Sequence, residues 1–423
     1  MIEPMDEIKG NFGGEEMKFK LFATPLAKLM EAQKRAERFA EEKEAHNACK
    51  ELIQCIALTR IIYGNGHWRL GQAFANLAHG YLVLQGLPIQ AMKHANAAKY
   101  TIFMEKRAPP TSREERGEIL STLVTIYYTL GEANLMQKNG KKSYCNLKKA
   151  EQVMEELQGP DWTETVKLKV SERDLMMALG RASLQRNNLE LAARYFERTI
   201  ETRISAGGEM SPELIDIYQE MAKVKQIQKN HEEAIMYLLK AYSVSTAMNN
   251  KFSTQVASVA LLLAKAYAAT GEEKYFEAAE KYFTEGLMAY KEALGTDHSE
   301  TIHVVEDYSK WLARTGKRKL AYNVLKESFI SQKDPCSDFN ENATERLYTM
   351  GCICLAEEKI REAYLLLSKC AQIQVAIYGS HHRKTKKIQE LLDRLVMVST
   401  VHEVPTCPKQ KRKGTLNFSF PDF

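Results

Sequence analysis

The stretch ALGRASLQRNNLELAARYFERTI, residues Ala178–Ile200, decides the fold. Its apolar spacing predicts two helices joined at Arg186-Asn187-Asn188. Gly180 lies inside the first predicted helix, although glycine there costs about 1 kcal/mol relative to alanine. Ala192 lies inside the second, four residues before the bulky Phe196. Small residues inside helices indicate places where a neighbouring helix must come close.

The same arrangement occurs eight times along the chain, counting this stretch. The first small site of each unit is Ala36, Ala78, Gly131, Gly180, Ala222, Ala264, Ser309 or Gly351. The second small sites are Ala48, Ala91, Ser143, Ala192, Ala234, Ala278, Ala321 and Ala363. A mostly larger residue follows each second small site by four positions: Leu52, Ala95, Leu147, Phe196, Leu238, Tyr282, Leu325 and Leu367. Three positions further come Cys55, Ala98, Ala150, Thr199, Ala241, Glu285, Ser328 and Cys370. Successive second small sites are 43, 52, 49, 42, 44, 43 and 42 residues apart, so the period indicates a repeat protein.

This periodicity predicts an all-α solenoid of about eight helical hairpins, with a final helix at Thr385–Val398 capping the stack. We expect the first small site to admit the partner helix and the second to admit the next hairpin. The larger residue four positions on is expected to fill the space between hairpins.

The phrase resembles the tetratricopeptide repeat, whose small and large residues follow the pattern Leu179-Gly180, Ala192, Phe196. The period of about 42 is similar to the long repeats of kinesin light chains rather than to the common length of about 34. Asn76–Tyr81 (NLAHGY) resembles a phrase of those repeats. The stretches IYGNGHW, IYGSHH and, more loosely, LGTDH resemble the links between their hairpins, although the usual proline after histidine is absent.

A narrower resemblance covers most of residues 25–395. The segments Cys55–Leu87 and Lys369–Gly379 are similar to the family formed by tetratricopeptide repeat protein 23 and its 23-like paralogue, with the 23-like branch nearer. The resemblance implies a right-handed superhelix and a non-enzymatic scaffold at the centrosome, spindle, midbody or base of the cilium. It also implies a cytoplasmic, cytoskeleton-associated protein.

Composition favours one helical array between two tails. Residues 1–24 are predicted to be a disordered acidic tail, residues 25–400 the solenoid and residues 401–423 a disordered basic tail. The segment Ser331–Asn342 is the best internal break and is expected to separate the seventh and eighth hairpins. The net charge of +5 is too balanced for nucleic-acid binding by the whole chain. The first residues lack the pattern of a signal peptide, and the apolar run Val256–Ala264 is too short to span a membrane, so we expect no transmembrane segment.

No catalytic, cofactor or metal motif is recognisable. Arg69 stands where a dinucleotide-binding loop would need its third glycine, and Gly316-Lys317 lacks the earlier glycine of a phosphate-binding loop. Cys352 and Cys354 are the closest cysteine pair, but no second pair accompanies them, so core packing is the better interpretation. We therefore predict no enzyme activity, no cofactor, no metal and no small-molecule substrate.

Two sets of residues are candidate binding sites. The residue after each first small site is expected to face the groove lined by first helices, and four consecutive units place a cation there: Arg181, Lys223, Lys265 and Lys310. Such a row favours an acidic, extended partner segment, and Asn76 could hydrogen-bond its backbone. These cations could instead pair with neighbours such as Glu220 or Asp307. The second set is a basic surface formed by Arg383, Lys384, Lys386 and Lys387, and by Lys409, Lys411, Arg412 and Lys413 in the tail.

Three functions are compatible with these features. A protein-interaction scaffold is the leading one, with acidic segments or tubulin tails as partners. A kinesin-light-chain-like cargo adaptor is the second, although no coiled coil precedes the repeats in this sequence. The third is a binder of phosphate or lipid surfaces through the basic clusters; nucleic acid is the less favoured partner.

Overall fold

The structure is a computed structural model and describes residues 24–104, 112–159, 162, 168–330 and 341–397. Within these residues the secondary structure is helical throughout, with no strand. The described residues form eight successive α-helical hairpins, and one further helix follows the eighth. The described part of the chain thus confirms the predicted all-α repeat architecture.

The chain divides into two compact units at Val244–Ser245. The first unit contains α1 Pro25–Glu41, α2 Ala45–Tyr63, α3 Trp68–Val83, α4 Pro88–Phe103, α5 Arg113–Met136, α6 Gly140–Leu157, α7 Glu172–Gln185, α8 Leu189–Gly207 and α9 Leu214–Ile227. Helix α10, His231–Met248, spans the division. The second unit contains α11 Thr254–Thr270, α12 Phe276–Leu294, α13 Ser299–Arg314, α14 Arg318–Ile330, α15 Glu341–Ala356, α16 Ile360–Tyr378 and α17 Arg383–Met397. Odd-numbered helices from α1 to α15 are the first helices of the eight hairpins, and the helix predicted at Thr385–Val398 is α17, displaced by two residues at its start.

The opening stretch forms the fourth hairpin, α7 and α8. A methyl group added to Gly180 would lie 2.4 Å from Cε1 of Phe196, closer than two carbon atoms can approach. The same relation joins Gly131 to Leu147 at 2.5 Å and Gly351 to Leu367 at 2.8 Å. The helix therefore tolerates Gly180 in spite of the low helix propensity of glycine, because the ring of Phe196 occupies the space that a side chain would need.

The residue four positions after the second small site, here Phe196, was expected to fill the space between hairpins, and this expectation was incomplete. Phe196 packs on the first small site of its own hairpin and is fully buried there. The reason is geometric: residues four apart lie on one face of α8, so Phe196 shares the face on which Ala192 is buried.

The pattern assigned to the sixth hairpin was wrong by one residue. Ala279, Phe283 and Gly286 are buried, whereas Ala278, Tyr282 and Glu285 are half-buried. The cause is a single turn of 3₁₀ helix, Glu273–Tyr275, which enters between α11 and α12 and shifts the start of α12. Ala279 is thus the second small site of this hairpin.

Three links, two between hairpins and one before the final helix α17, share one construction. In each, a glycine ends the preceding helix at positive φ: Gly64 at 84°, Gly295 at 92° and Gly379 at 83°. In each, a histidine three residues later caps the next helix, since its Nδ1 accepts a hydrogen bond at 3.2 Å from the backbone N–H two residues on. These histidines are His67, His298 and His382. Proline, which other repeats carry at the first helical position, is replaced by residues that leave this cap intact.

The predicted break at Ser331–Asn342 lies largely outside the described residues. Helix α14 ends at Ile330 and α15 begins at Glu341, so the boundary between the seventh and eighth hairpins is where the sequence placed it.

Candidate partner-binding surface

The predicted groove cations belong to a row that we call the first-helix row, the positions directly after the first small sites. In the first unit this row holds Glu37, His79, Glu132, Arg181 and Lys223 on α1, α3, α5, α7 and α9. The small site before each of them is buried, so its position in the helix is fixed by packing. The row is therefore a consequence of the repeat pattern.

Arg181 and Lys223 share one carboxylate. Glu220 accepts a bond at 3.2 Å from Nε of Arg181 and another at 3.2 Å from Nζ of Lys223. The Glu220 side chain is 12% exposed, whereas those of Arg181 and Lys223 are 42% and 49% exposed. Two exposed cations thus surround one buried anion, which leaves an excess positive charge accessible to a partner.

The cations of the second unit are paired one to one. Nζ of Lys265 lies 2.6 Å from Oδ2 of Asp307, and Nζ of Lys310 lies 3.0 Å from Oε1 of Glu345. Each pair joins neighbouring first helices. The alternative considered from the sequence, pairing with Glu220 or Asp307, is thus present in the structure. Lys265 keeps 45% and Lys310 keeps 38% of its side chain exposed, so both stay accessible.

Asn76 borders a cavity of about 230 Å³ within the first unit. Gln33 of α1, Gln72 of α3 and Glu118 of α5 contribute polar groups to it, and Leu29 contributes an apolar wall. The cavity thus combines amides and charged groups with apolar surface.

A cluster that the sequence did not single out lies beside Asn76 along the row. The rings of His79 and Tyr128 are 6.3 Å apart, and Tyr128 precedes Glu132 by one helical turn. Burial lowers the pKa of His79 to about 4, with Lys169 adding to the effect and Asp174 opposing it. Burial also raises the pKa values of Tyr128 and Glu132. The repeat pattern could have revealed this cluster, because His79 and Glu132 occupy the same position in their hairpins as Arg181 does in its own.

The predicted basic surface is partly described. Arg383, Lys386 and Lys387 are exposed at the start of α17. Lys384 forms an ion pair with Glu341 and lies 5.3 Å from the centre of the Tyr378 ring. Lys409, Lys411, Arg412 and Lys413 lie outside the described residues.

No group of three or more metal-ligating side chains occurs among the residues that the structure describes. The six cysteines found there, including Cys352 and Cys354, are free thiols. Burial raises the pKa of Cys354 to about 11, which keeps this thiol protonated and unreactive. Within the same residues, every helix is too short or too polar to cross a membrane.

Sequence comparison decides the family. The chain is 42% identical over 382 residues to mouse tetratricopeptide repeat protein 23-like, an alignment that covers 90% of this chain and 82% of the mouse protein. The chain belongs to the tetratricopeptide repeat protein 23 family. Rat tetratricopeptide repeat protein 23 is 29% identical over 97% of this chain and 90% of its own length. The resemblance stated for the repeats is thereby confirmed.

Two further similarities concern a part of the chain and its fold. A family described as "Meiosis protein SPO22/ZIP4 like" matches residues 182–335, less than half of the chain. The crystal structure of the apo form of RapI aligns with a TM-score of 0.53 at 9% identity, covering 89% of this chain and 99% of that one. At such low identity the second similarity concerns the fold alone.

Proposed function

We propose that this tetratricopeptide repeat protein is a non-enzymatic scaffold that docks acidic, extended segments of protein partners along the first-helix row. Helical repeats expose a periodic row of side chains, and a periodic row suits an extended chain. In the first unit the partner's carboxylates would meet Arg181 and Lys223, and Asn76 would bond its backbone. In the second unit they would meet Lys265 and Lys310.

The observation that supports this proposal most strongly is the pairing of Arg181 and Lys223 with a single Glu220. One carboxylate cannot neutralise two cations, so a net positive charge remains beside Glu220. A partner's carboxylate can therefore bind there without displacing Glu220. Because Glu220 is almost buried, the accessible charge at this place is positive.

The test is the combined substitution Lys223→Glu and Lys265→Glu, one change in each unit. The probe is a fluorescently labelled ten-residue glutamate peptide, with binding followed by anisotropy at low salt. We expect the affinity of the variant to fall by about tenfold or more, because reversed charges repel the probe. Circular dichroism checks that the variant is folded.

The matched control is Lys50→Glu with Lys291→Glu. These two lysines are exposed on the second helices α2 and α12, one in each unit, and the net charge changes by the same amount. The control should bind the probe nearly as wild type does. Equal loss in both variants would show that only net charge attracts the peptide and would refute the first-helix row as a docking surface.

We further propose that the scaffold acts in the cytoplasm, in a complex associated with microtubules, the centrosome or the cilium. Support comes from the resemblance of residues 25–395 to the tetratricopeptide repeat protein 23 family. Proximity labelling in dividing and in ciliated cells tests this placement. Enrichment of neither centrosomal nor ciliary proteins would contradict it.

A further inference from the structure

A half-buried carboxylate without a partner lies in the first-helix row of the first unit. Glu132 of α5 forms neither an ion pair nor a hydrogen bond with the residues that the structure describes. Arg181 acts on it electrostatically, but its guanidinium is bonded to Glu220. Withdrawal of a carboxylate from water without compensation is unfavourable, so the free chain holds this group at a cost.

The surroundings of Glu132 contain further acceptors. Nδ1 of His79 is shielded from solvent and has no hydrogen-bond partner among the described residues. Tyr128 connects the two, since its ring lies 6.3 Å from that of His79 and its helix places it one turn before Glu132. Asp174 of α7 acts electrostatically on His79, Tyr128 and Glu132, so all three lie within electrostatic range of the same carboxylate.

The charges that face this cluster are of both signs. Arg181 and Arg173 of α7, and Lys169 just before it, are the nearby cations. Arg181 is bonded to Glu220, and Arg173 is bonded to Asp174 at 2.8 Å. Asp174 also accepts a bond from the hydroxyl of its capping residue Ser171 at 2.6 Å. Glu132 is therefore the carboxylate of this cluster that has neither an ion pair nor a hydrogen bond among the described residues.

We propose that His79, Tyr128 and Glu132 form a binding site for a cationic side chain, arginine or lysine, of a partner segment. A guanidinium or ammonium group would donate to the carboxylate of Glu132, and Nδ1 of His79 would accept a further N–H. The face of the Tyr128 ring would add a cation–π contact. Burial has already raised the pKa of Glu132, and a bound cation would reverse that effect.

This site differs from the row of cations next to it. Along the first-helix row the charge changes sign, from the unpaired carboxylate of Glu132 to the excess positive charge near Lys223. A partner segment that used both would carry a basic residue followed or preceded by acidic ones. The cationic site does not depend on the acidic partner proposed above, so its test uses a separate probe.

The probe is N-acetyl-arginine methylamide, and its neutral counterpart is N-acetyl-citrulline methylamide, which has nearly the same shape without the charge. Binding to the full-length protein is followed by NMR through the ring resonances of His79, assigned with His79→Gln. We expect a saturable shift with the arginine probe and none with the citrulline probe. A missing arginine response, or an equal response to citrulline, would overturn the proposal.

Two variants identify the carboxylate. Glu132→Gln keeps the size of the side chain and should abolish the shift. Glu37→Gln is the matched control, because Glu37 occupies the same position of the first hairpin and is exposed. The shift should persist in Glu37→Gln; its persistence in Glu132→Gln would refute the site even if the acidic peptide still binds to the cations.

Discussion

At the scale of single residues, the fourth hairpin depends on one missing side chain. Gly180 and Phe196 are complementary in volume, and neither can change alone. The glycine also has the lower helix propensity, so two physical effects oppose each other at this position.

Gly180→Ala separates these effects. The added methyl group would lie 2.4 Å from Phe196, and we expect a loss of about 1–3 kcal/mol from overpacking. Hydrogen exchange of α7 and α8 measures it, and the double variant Gly180→Ala with Phe196→Leu should recover part of the loss. If propensity dominated, Gly180→Ala would instead increase protection by about 1 kcal/mol.

At the scale of helices, the histidine links define where the first helices α3 and α13 and the final helix α17 begin. His298 caps α13 through Nδ1, and Thr301 donates a hydrogen bond at 2.8 Å to the carbonyl of Gly295. The link is thus held by bonds among neighbouring residues.

His298→Ala removes the capping acceptor and should cost about 1 kcal/mol, while His298→Asn should keep most of the stability because asparagine caps helices well. Hydrogen exchange in the first turn of α13 is the measurement. Equal protection in the alanine and asparagine variants would show that the cap contributes nothing.

Glu306 makes the same helix sensitive to pH. Burial raises its pKa, and Lys310, His303 and Arg346 oppose the shift without cancelling it. One oxygen of this carboxyl group, Oε1, is buried without a hydrogen-bond partner among the described residues. The folded chain therefore holds the proton more tightly than the unfolded chain.

The sign of the pH effect follows directly. Protonated Glu306 contributes to the free energy of unfolding. This contribution is fully present below the ordinary glutamate pKa, and it is lost as the pH rises through the raised pKa that Glu306 has in the folded chain. Each unit by which the pKa is raised costs about 1.4 kcal/mol at higher pH. Glu306→Gln should therefore be more stable than wild type at neutral pH and lose this advantage near pH 4 in thermal melts. The exposed control Glu292→Gln should show no such pH dependence; an equal gain there would exclude Glu306 as the cause.

Sequence reasoning predicted the hairpins because small residues inside helices are a strong constraint. It assigned the wrong residue in α12 because Ala278 and Ala279 are adjacent alanines and the 3₁₀ turn before them leaves no sequence signal. It named the cations of the first-helix row, but the sharing of Glu220 and the unpaired state of Glu132 depend on distances between helices. Such distances are set by packing and cannot be read from spacing along the chain.

At the scale of the whole molecule, association with a charged polymer can be separated from docking by salt. If Lys409, Lys411, Arg412 and Lys413 contribute to microtubule association, changing all four to Gln should reduce co-sedimentation at low ionic strength. The difference should vanish at high salt, since exposed charges are then screened. Replacing Arg383, Lys386 and Lys387 by Gln provides the comparison for the second basic cluster. Unchanged pelleting of the tail variant at low salt would reject a role for the tail.

The pairing of Gly180 with Phe196 also bears on how such chains can be recombined. In the second hairpin Ala78 and Ala95 lie in one cluster, so a helix carrying Phe196 could not replace α4 without a collision. The smallest exchangeable part is therefore a complete hairpin. The links that end in His67, His298 and His382 bring their own turn and cap, which makes them suitable crossover points. A shuffled library cut at those links should contain more folded members than one cut inside hairpins at turns such as Asn187-Asn188.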